Sequence, residues 1–494
     1  VSTYEYYEYK VLLERFAGSE LRHIIPPTDD NVELFAGGFV SNADALSEDF
    51  VNNEIIKQYI DNPKCTVILF ENPPYSDVGA VKNNPATKDK KTTWKNSFIA
   101  EQMKNEITGT VKNDLANLFI WSGFKYYLRQ KTDSFILFSP IKYWKSNKLV
   151  NKKFNNGFIF NRQHFHANAS AVSCISWQNI DEIREKIELE AYDIDSNKTS
   201  SVDDNKIIFI KKLNVKKVSG LLSKFYDKRN DDTDQIPAAI SAWGGEEYQY
   251  KSKWIGHEFD YKSDGSLRII PKYNKNIIAY LITQDFGFEH PRLSTNLVRA
   301  GVYAGNGFYL RSDNYLEKLP LFAAGKYPIE DKWYENGTIF KSSDGGDKYT
   351  KDKDFLKSCF IFTCLSRYNK CLSFTGSDKR FYKNELCFDR GTLASKQLEK
   401  FELNSDEKEL IKNWQSVLAE VKKEAKNMEK YNKKLSYGPY QIEIELNTSH
   451  PDDNNKPIPD YPTLNGALDN LKKKLKVYYA KYITPKLFKY ELLK

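Results

Sequence analysis

The chain has 494 residues, with 74 Lys plus Arg against 66 Asp plus Glu and a formal net charge of +8. That length exceeds what one hydrophobic core usually organises, so two or three domains are expected, and the mild positive charge suits a polyanionic partner without demanding one. No run approaches the length of apolar sequence that a bilayer-spanning helix needs and no signal peptide opens the chain, which excludes that kind of membrane span and makes a cytoplasmic location the expectation.

In chain order, Tyr9 to Phe16 reads as a helix. Phe35-Ala36-Gly37-Gly38-Phe39 reads as a turn, because no amphipathic helix follows its glycines as a phosphate-cradling loop requires. Asp44, in Asn42-Ala43-Asp44-Ala45-Leu46, is on its own a turn aspartate. Thr66-Val67-Ile68-Leu69-Phe70 is an apolar run of the length of one buried strand, and Asn72-Pro73-Pro74-Tyr75 follows one residue later.

That tetrapeptide carries specific chemistry. An adenine amino group is a poor nucleophile because its lone pair is delocalised into the ring. The Asn72 side-chain oxygen can accept one of its N–H groups and the Pro73 carbonyl the other, drawing the nitrogen toward tetrahedral geometry, while the prolines keep the turn extended. Tyr75 offers a ring on which a base can stack. Positioned dipoles then favour the charge developing on nitrogen, and no titrating base is required. The competing reading is a proline-stiffened loop, against which stands its place at the carboxyl end of a strand, where open α/β sheets bind ligands.

Farther on, Asn113-Asp114-Leu115 opens a helix whose apolar positions Leu115, Leu118, Phe119 and Leu128 are spaced to cover a sheet. Ser134-Phe135-Ile136-Leu137-Phe138-Ser139-Pro140 reads as the next buried strand. In the stretch His164 to Trp177, His164 and His166 stand at alternate positions of an expected strand and read as polar residues or phosphate contacts. Asp193 to Asp204 is a polar loop, Lys206 to Ile210 the last strand of this part, and a second break falls around Lys228 to Asp234. Beyond it come short aromatic-rich strands, among them Ile277 to Ile282 and Gly301 to Leu310. Cys359-Phe-Ile-Phe-Thr-Cys364 reads as a strand as well, and the six cysteines, without Cys-x-x-Cys spacing, read as reduced thiols. The end of the chain is helical: Asn404-Ser405-Asp406-Glu407 has the form of a capping box, followed by the stripe Leu410, Trp414, Val417, Val421, Ala425 and Met428. A second helix carries Leu468, Leu471, Leu475, Tyr478 and Tyr482, so an antiparallel pair is expected, with eight lysines between 465 and 494 on its outer side.

On the Asn72–Tyr75 motif, the acidic segment around Asp44, the Asn113–Leu115 helix start and the strand closed by Pro140, the first part of the chain, up to about residue 180, resembles the adenine-N6 DNA methyltransferases of restriction-modification systems, type IIG-like, with a C-terminal target-recognition domain. The resemblance implies an α/β fold: a partial Rossmann-like S-adenosylmethionine-dependent methyltransferase sheet over 1–230, an α+β target-recognition domain over 235–400, and a C-terminal helical pair over 401–494. It implies base flipping, with Asn72, Pro73, Pro74 and Tyr75 catalytic, Asp44 against S-adenosylmethionine, and Phe165 stacking on the flipped base, core packing being the competing reading for Phe165. No metal is implied for the transfer. Double-stranded DNA is the implied partner, a fused or separate restriction nuclease a further one, and a bacterial cytoplasm the setting. Arg292, Arg299, Arg311 and Lys318 are the candidate DNA contacts, each also readable as solvated surface. The family's Phe-x-Gly-x-Gly cofactor loop has no room upstream, and the chain begins with Val1, so the expectation is an N-terminally truncated methyltransferase. Two rival readings stand beside it: a DNA-binding specificity module with an incomplete cofactor site, and a methyltransferase acting on RNA or on protein glutamine.

Overall fold

The computed structural model describes residues 44–74, 94–165, 167–194, 206–225, 227, 234–235, 272–273, 277–283, 288–292, 295–298, 307–329, 332–375 and 381–494. The expected helix at 9–16, the glycine turn at 35–39, Tyr75, His166 and Arg299 lie outside these residues. The chain falls into two units, the first formed by Val1–Lys217 with Glu330–Thr338 and the second by Val218–Ile329 with Ile339–Lys494. Both are mixed α/β.

The first unit is built on a six-stranded sheet in the order β1-β2-β4-β3-β5-β6: β1 Ile68–Glu71, β2 Ser134–Ser139, β3 Lys152–Asn161, β4 Ala171–Asp181, β5 Lys186–Ile194 and β6 Ile207–Lys216. β1 and β2 are parallel, with Phe70 opposite Ile136, and β4 runs antiparallel to both β2 and β3. β1, β2 and β3 therefore point the same way and end on one edge. β5 is parallel to β3, and β6 closes the sheet antiparallel to β5, as the run after Lys206 predicts.

The connection from β1 to β2 carries helices α3 (Phe98–Glu106) and α4 (Leu115–Ser122), preceded in the chain by the short helices α1 (Glu48–Val51) and α2 (Glu54–Ile60), and the short helix α5 (Lys142–Lys145) follows β2. Asp114 starts α4 by accepting the Ala116 N–H at 3.1 Å, satisfying one of the amides a helix start leaves without a partner. Leu115, Leu118, Ile120 and Trp121 are buried. The helix widens into a π turn over Gly123–Tyr127, so Leu128, expected on the helix, lies just past it in extended backbone, yet still buried. Gly123 is what allows this turn to rest on the sheet: a Cβ there would sit 2.5 Å from Phe135 Cε1 and 3.0 Å from Leu69 Cδ2.

β2 alternates, with Phe135 and Leu137 fully buried beneath the helices. β1 corrects the expectation of a strand buried on both faces: Ile68 and Phe70 are each 65% exposed. Among the described residues β1 pairs on one side only, and its opposite neighbours Leu69 and Glu71 take the covered face. Asp133, fully buried, holds the start of this strand pair. Its Oδ1 accepts Val67 N–H at 2.9 Å and its Oδ2 accepts Arg129 N–H at 2.8 Å and Gln130 N–H at 2.7 Å. On the same covered face Trp177 is fully buried, stacked on Trp144 and donating to Tyr143 Oη at 3.0 Å.

The second unit has a four-stranded sheet in the order β9-β7-β8-β10: β7 Ile277–Thr283, β8 Thr295–Val298, β9 Gly307–Arg311 and β10 Asn369–Lys370. Every residue of β7 is buried, which fits its unbroken apolar sequence. Helices α6 (Tyr315–Ala324) and α7 (Lys353–Leu365) belong to the same core. α7 corrects the strand expected at Cys359–Cys364. Asp352 caps it, accepting Phe355 N–H at 3.0 Å, and it is apolar on most sides because it is buried on most sides; a short apolar run does not reveal that period. The capping box is present, with Asn404 Oδ1 accepting Glu407 N–H at 3.0 Å and Glu407 accepting Asn404 N–H at 2.9 Å. It opens α8 (Ser405–Glu420), which pairs antiparallel with α9 (Pro462–Tyr478): Glu407 meets Tyr478, Asn413 meets Asn470, and Glu424 meets Leu464. Leu410, Trp414, Leu471 and Leu475 share one core with Leu281, Leu297 and Phe308 of the sheet. No helix of the described residues is long and apolar enough to cross a membrane.

Candidate functional site

β1 ends at Glu71, opposite Leu137 of β2, and the chain leaves the sheet as Asn72-Pro73-Pro74. Proline has no N–H to continue a ladder, so the sequence itself ends the strand here. Pro73 is buried, while Asn72 and Pro74 are exposed. The motif thus lies at the carboxyl edge shared by β1, β2 and β3.

Phe165 arrives at that same edge from β3. The chain turns through the 3-10 segment Arg162–Phe165 before re-entering the sheet as β4, so the strand expected through His164 is not formed and His164 sits in the turn. Its Nε2 lies 2.6 Å from Asp193 Oδ1. Phe165 is 50% exposed, which sets aside the reading as a core residue. Its ring rests against Phe138 at 5.6 Å and Phe160 at 5.3 Å, and those two touch each other at 5.2 Å. Two rings from adjacent parts of the sheet thus hold a third that shows one side to solvent. The start of β4 beside it is fixed from far along the chain: Asn336 O accepts Ala171 N–H at 2.9 Å and Ser170 Oγ–H at 3.0 Å.

Asp44 folds as a turn aspartate. Its Oδ1 accepts Leu46 N–H at 3.0 Å and its carbonyl accepts Ser47 N–H at 2.9 Å, and Ser47 then caps α1. Burial raises its carboxyl pKa, the Leu46 hydrogen bond working against this.

Two polar groups next to the motif escape sequence reasoning. Glu71 Oε2 and Tyr127 Oη are both buried with no hydrogen-bond partner among the described residues. Desolvation pushes the Glu71 carboxyl up to about 8, and both burial and the Glu71 charge push the Tyr127 phenol upward. The available signal was an acid between an apolar run and the motif, but only packing reveals that it is buried.

Of the candidate DNA contacts, Arg299 lies outside the described residues. Arg292 donates from Nη2 to Tyr368 Oη at 2.6 Å and lies over that ring, while Arg311, at the end of β9, has its Nε 3.6 Å from Asp313. Lys318 sits on α6, over Phe308. Of the C-terminal lysines, Lys474, Lys481, Lys486 and Lys494 pair with Glu409, Asp406, Asp352 and Asp344 of the same unit. Comparison with protein-family models, with curated proteins and with solved structures finds no match for this chain.

Proposed function

We propose that this protein transfers a methyl group from S-adenosylmethionine to the N6 amino group of adenine in duplex DNA, flipping the base out of the helix to reach it. The observation that carries this reading is the meeting of Asn72-Pro73-Pro74 and the propped ring of Phe165 on one sheet edge. The Phe165 ring rests on Phe138 of β2, the strand that pairs directly with β1, so the ring and the motif stand at the carboxyl ends of neighbouring strands. The strand directions support the same reading: β1, β2 and β3 run the same way, so their carboxyl ends, where open α/β sheets bind ligands, lie on one edge.

On this reading Asn72 Oδ1 and the Pro73 carbonyl accept the two amino N–H groups and hold the nitrogen lone pair toward the donor. Phe165 stacks on one face of the base. Asp44 fits an acceptor for a hydrogen-bond donor of S-adenosylmethionine, since its carboxylate is half-buried and one of its oxygens serves the turn. The cofactor, when bound, supplies an electrophilic methyl group. Residues at the sheet edge do the rest: they position the amine and exclude water from it.

A tritium-transfer assay offering DNA, RNA and protein side by side tests the proposal. Label appearing on adenine in DNA with this chain, and lost in Asn72→Ala, is the expected result. Label found only on RNA or protein ends it.

A further inference from the structure

We propose that Glu71 and Tyr127 form the site for the positive charge of S-adenosylmethionine, the Glu71 carboxylate pairing with its ammonium or sulfonium group. This rests on the cofactor half of the reading above and goes beyond it by giving that charge a partner next to the motif.

The two groups come from different elements and meet on the covered face of the sheet. Glu71 ends β1, on the same face as Leu69. Tyr127 ends the π turn that follows α4, and its ring packs edge-on against Phe50 of α1 at 6.3 Å. Ala45, Phe50, Leu69 and Tyr127 belong to one apolar cluster, so the chain beside Asp44 reaches the same side of β1. Glu71 is close enough to Tyr127 for its charge to act on the phenol.

Neither polar group is satisfied. Glu71 Oε2 and Tyr127 Oη are buried with no hydrogen-bond partner among the described residues, and native folds rarely leave two such atoms unmet together. Glu71 as a whole keeps some exposure at the strand end, which gives a ligand a route to it. Burial, and not a neighbouring charge, is what pushes its carboxyl up to about 8. The other titratable groups on these elements are Asp44, Glu48 and Asp49 on the α1 side and Lys125 and Tyr126 on the π turn, of which Glu48, Asp49 and Lys125 are exposed. Asp44 and Glu71 are both acids that burial raises, so the missing ligand group is a cation and not an anion. When it arrives, Glu71 gives its proton to solvent and the carboxylate holds the cation where water is excluded. The Tyr127 oxygen offers a second acceptor. Asn72 follows Glu71 directly, so a charge held there stands beside the acceptors that position the amine.

Isothermal titration calorimetry of the full chain at pH 7 tests this for wild type, Glu71→Gln and Tyr127→Phe. The ligands are S-adenosylmethionine and S-adenosylhomocysteine, which keeps the ammonium and lacks the sulfonium charge. Glu71→Gln should weaken S-adenosylmethionine about 10-fold or more. Tyr127→Phe, which keeps the ring against Phe50, should weaken it about 2- to 10-fold. A loss confined to S-adenosylmethionine assigns the carboxylate to the sulfonium, and an equal loss for both ligands assigns it to the ammonium. Repeating the titrations in buffers of different ionisation enthalpy counts the protons released, and that count should fall by about one in Glu71→Gln. Wild type that binds S-adenosylmethionine, with affinity unchanged in both variants, overturns this site and leaves the cofactor reading standing. A fall in affinity with no change in the proton count also overturns it, by reducing Glu71 to a packing role. Wild type that binds neither ligand overturns the cofactor reading and this site with it.

Discussion

Replacing Glu71 by glutamine should abolish a pH dependence of stability that the wild-type first unit carries. The folded carboxyl titrates near 8 against an ordinary value of 4.5, because its surroundings exclude water. At low pH both folded and unfolded chains hold the proton, and the full stability is present. As pH rises past 4.5 the unfolded chain releases the proton while the folded chain keeps it, so stability falls until the folded carboxyl ionises near 8. At about 1.4 kcal/mol per unit this amounts to an upper bound of about 5 kcal/mol across the window. Glutamine has the shape of the protonated acid and no charge to lose. The two proteins should be close in stability at pH 5, and Glu71→Gln the more stable by several kcal/mol at pH 8. Urea unfolding read by hydrogen exchange in peptides from β2 and β4 measures this within the first unit. A stability difference that is the same at both pH values refutes the assignment of a neutral buried carboxyl beside the motif.

Asn72→Ala should abolish methyl transfer while leaving duplex affinity within about twofold, measured by tritium incorporation and anisotropy, because the amide acts on the amine and not on the backbone. Asp133→Ala should destabilise the first unit by about 3 kcal/mol or more in urea titrations, since three backbone N–H groups lose their acceptor in a buried place. Gly123→Ala should cost about 1–3 kcal/mol in the same assay, the new methyl meeting Phe135 at 2.5 Å, and Gly123→Ala with Phe135→Leu should recover part of it. Phe160→Ala should lower the fluorescence signal of a flipped 2-aminopurine in the complex more than it lowers duplex affinity, because it withdraws support from the Phe165 ring.

What could be read from the sequence was what local chemistry decides. Proline ends a strand wherever the sheet lies, so the exit at Asn72-Pro73-Pro74 was legible, as was β2 with its four apolar residues closed by Pro140. The capping box at Asn404 and Glu407 needs only its own four residues. Features that depend on what covers an element were not legible. Periodicity could not say that Ile68 and Phe70 face outward, nor that α7 is enclosed on most sides and therefore apolar without a stripe. It also could not show that His164 turns toward Asp193, or that Phe165 reaches Phe138, contacts made to strand residues 29 and 27 positions away in the sequence.

The short return of residues 330–338 to the first unit has a practical consequence. Trp333 and Tyr334 from this stretch pack on the core of the six-stranded sheet, and Asn336 secures the entry to β4. A truncated version ending after Lys217 would therefore lack part of its own scaffold at the start of β4. During synthesis the same edge stays unfinished until residues 332–338 have left the ribosome, so the first unit is completed only after part of the second has been made.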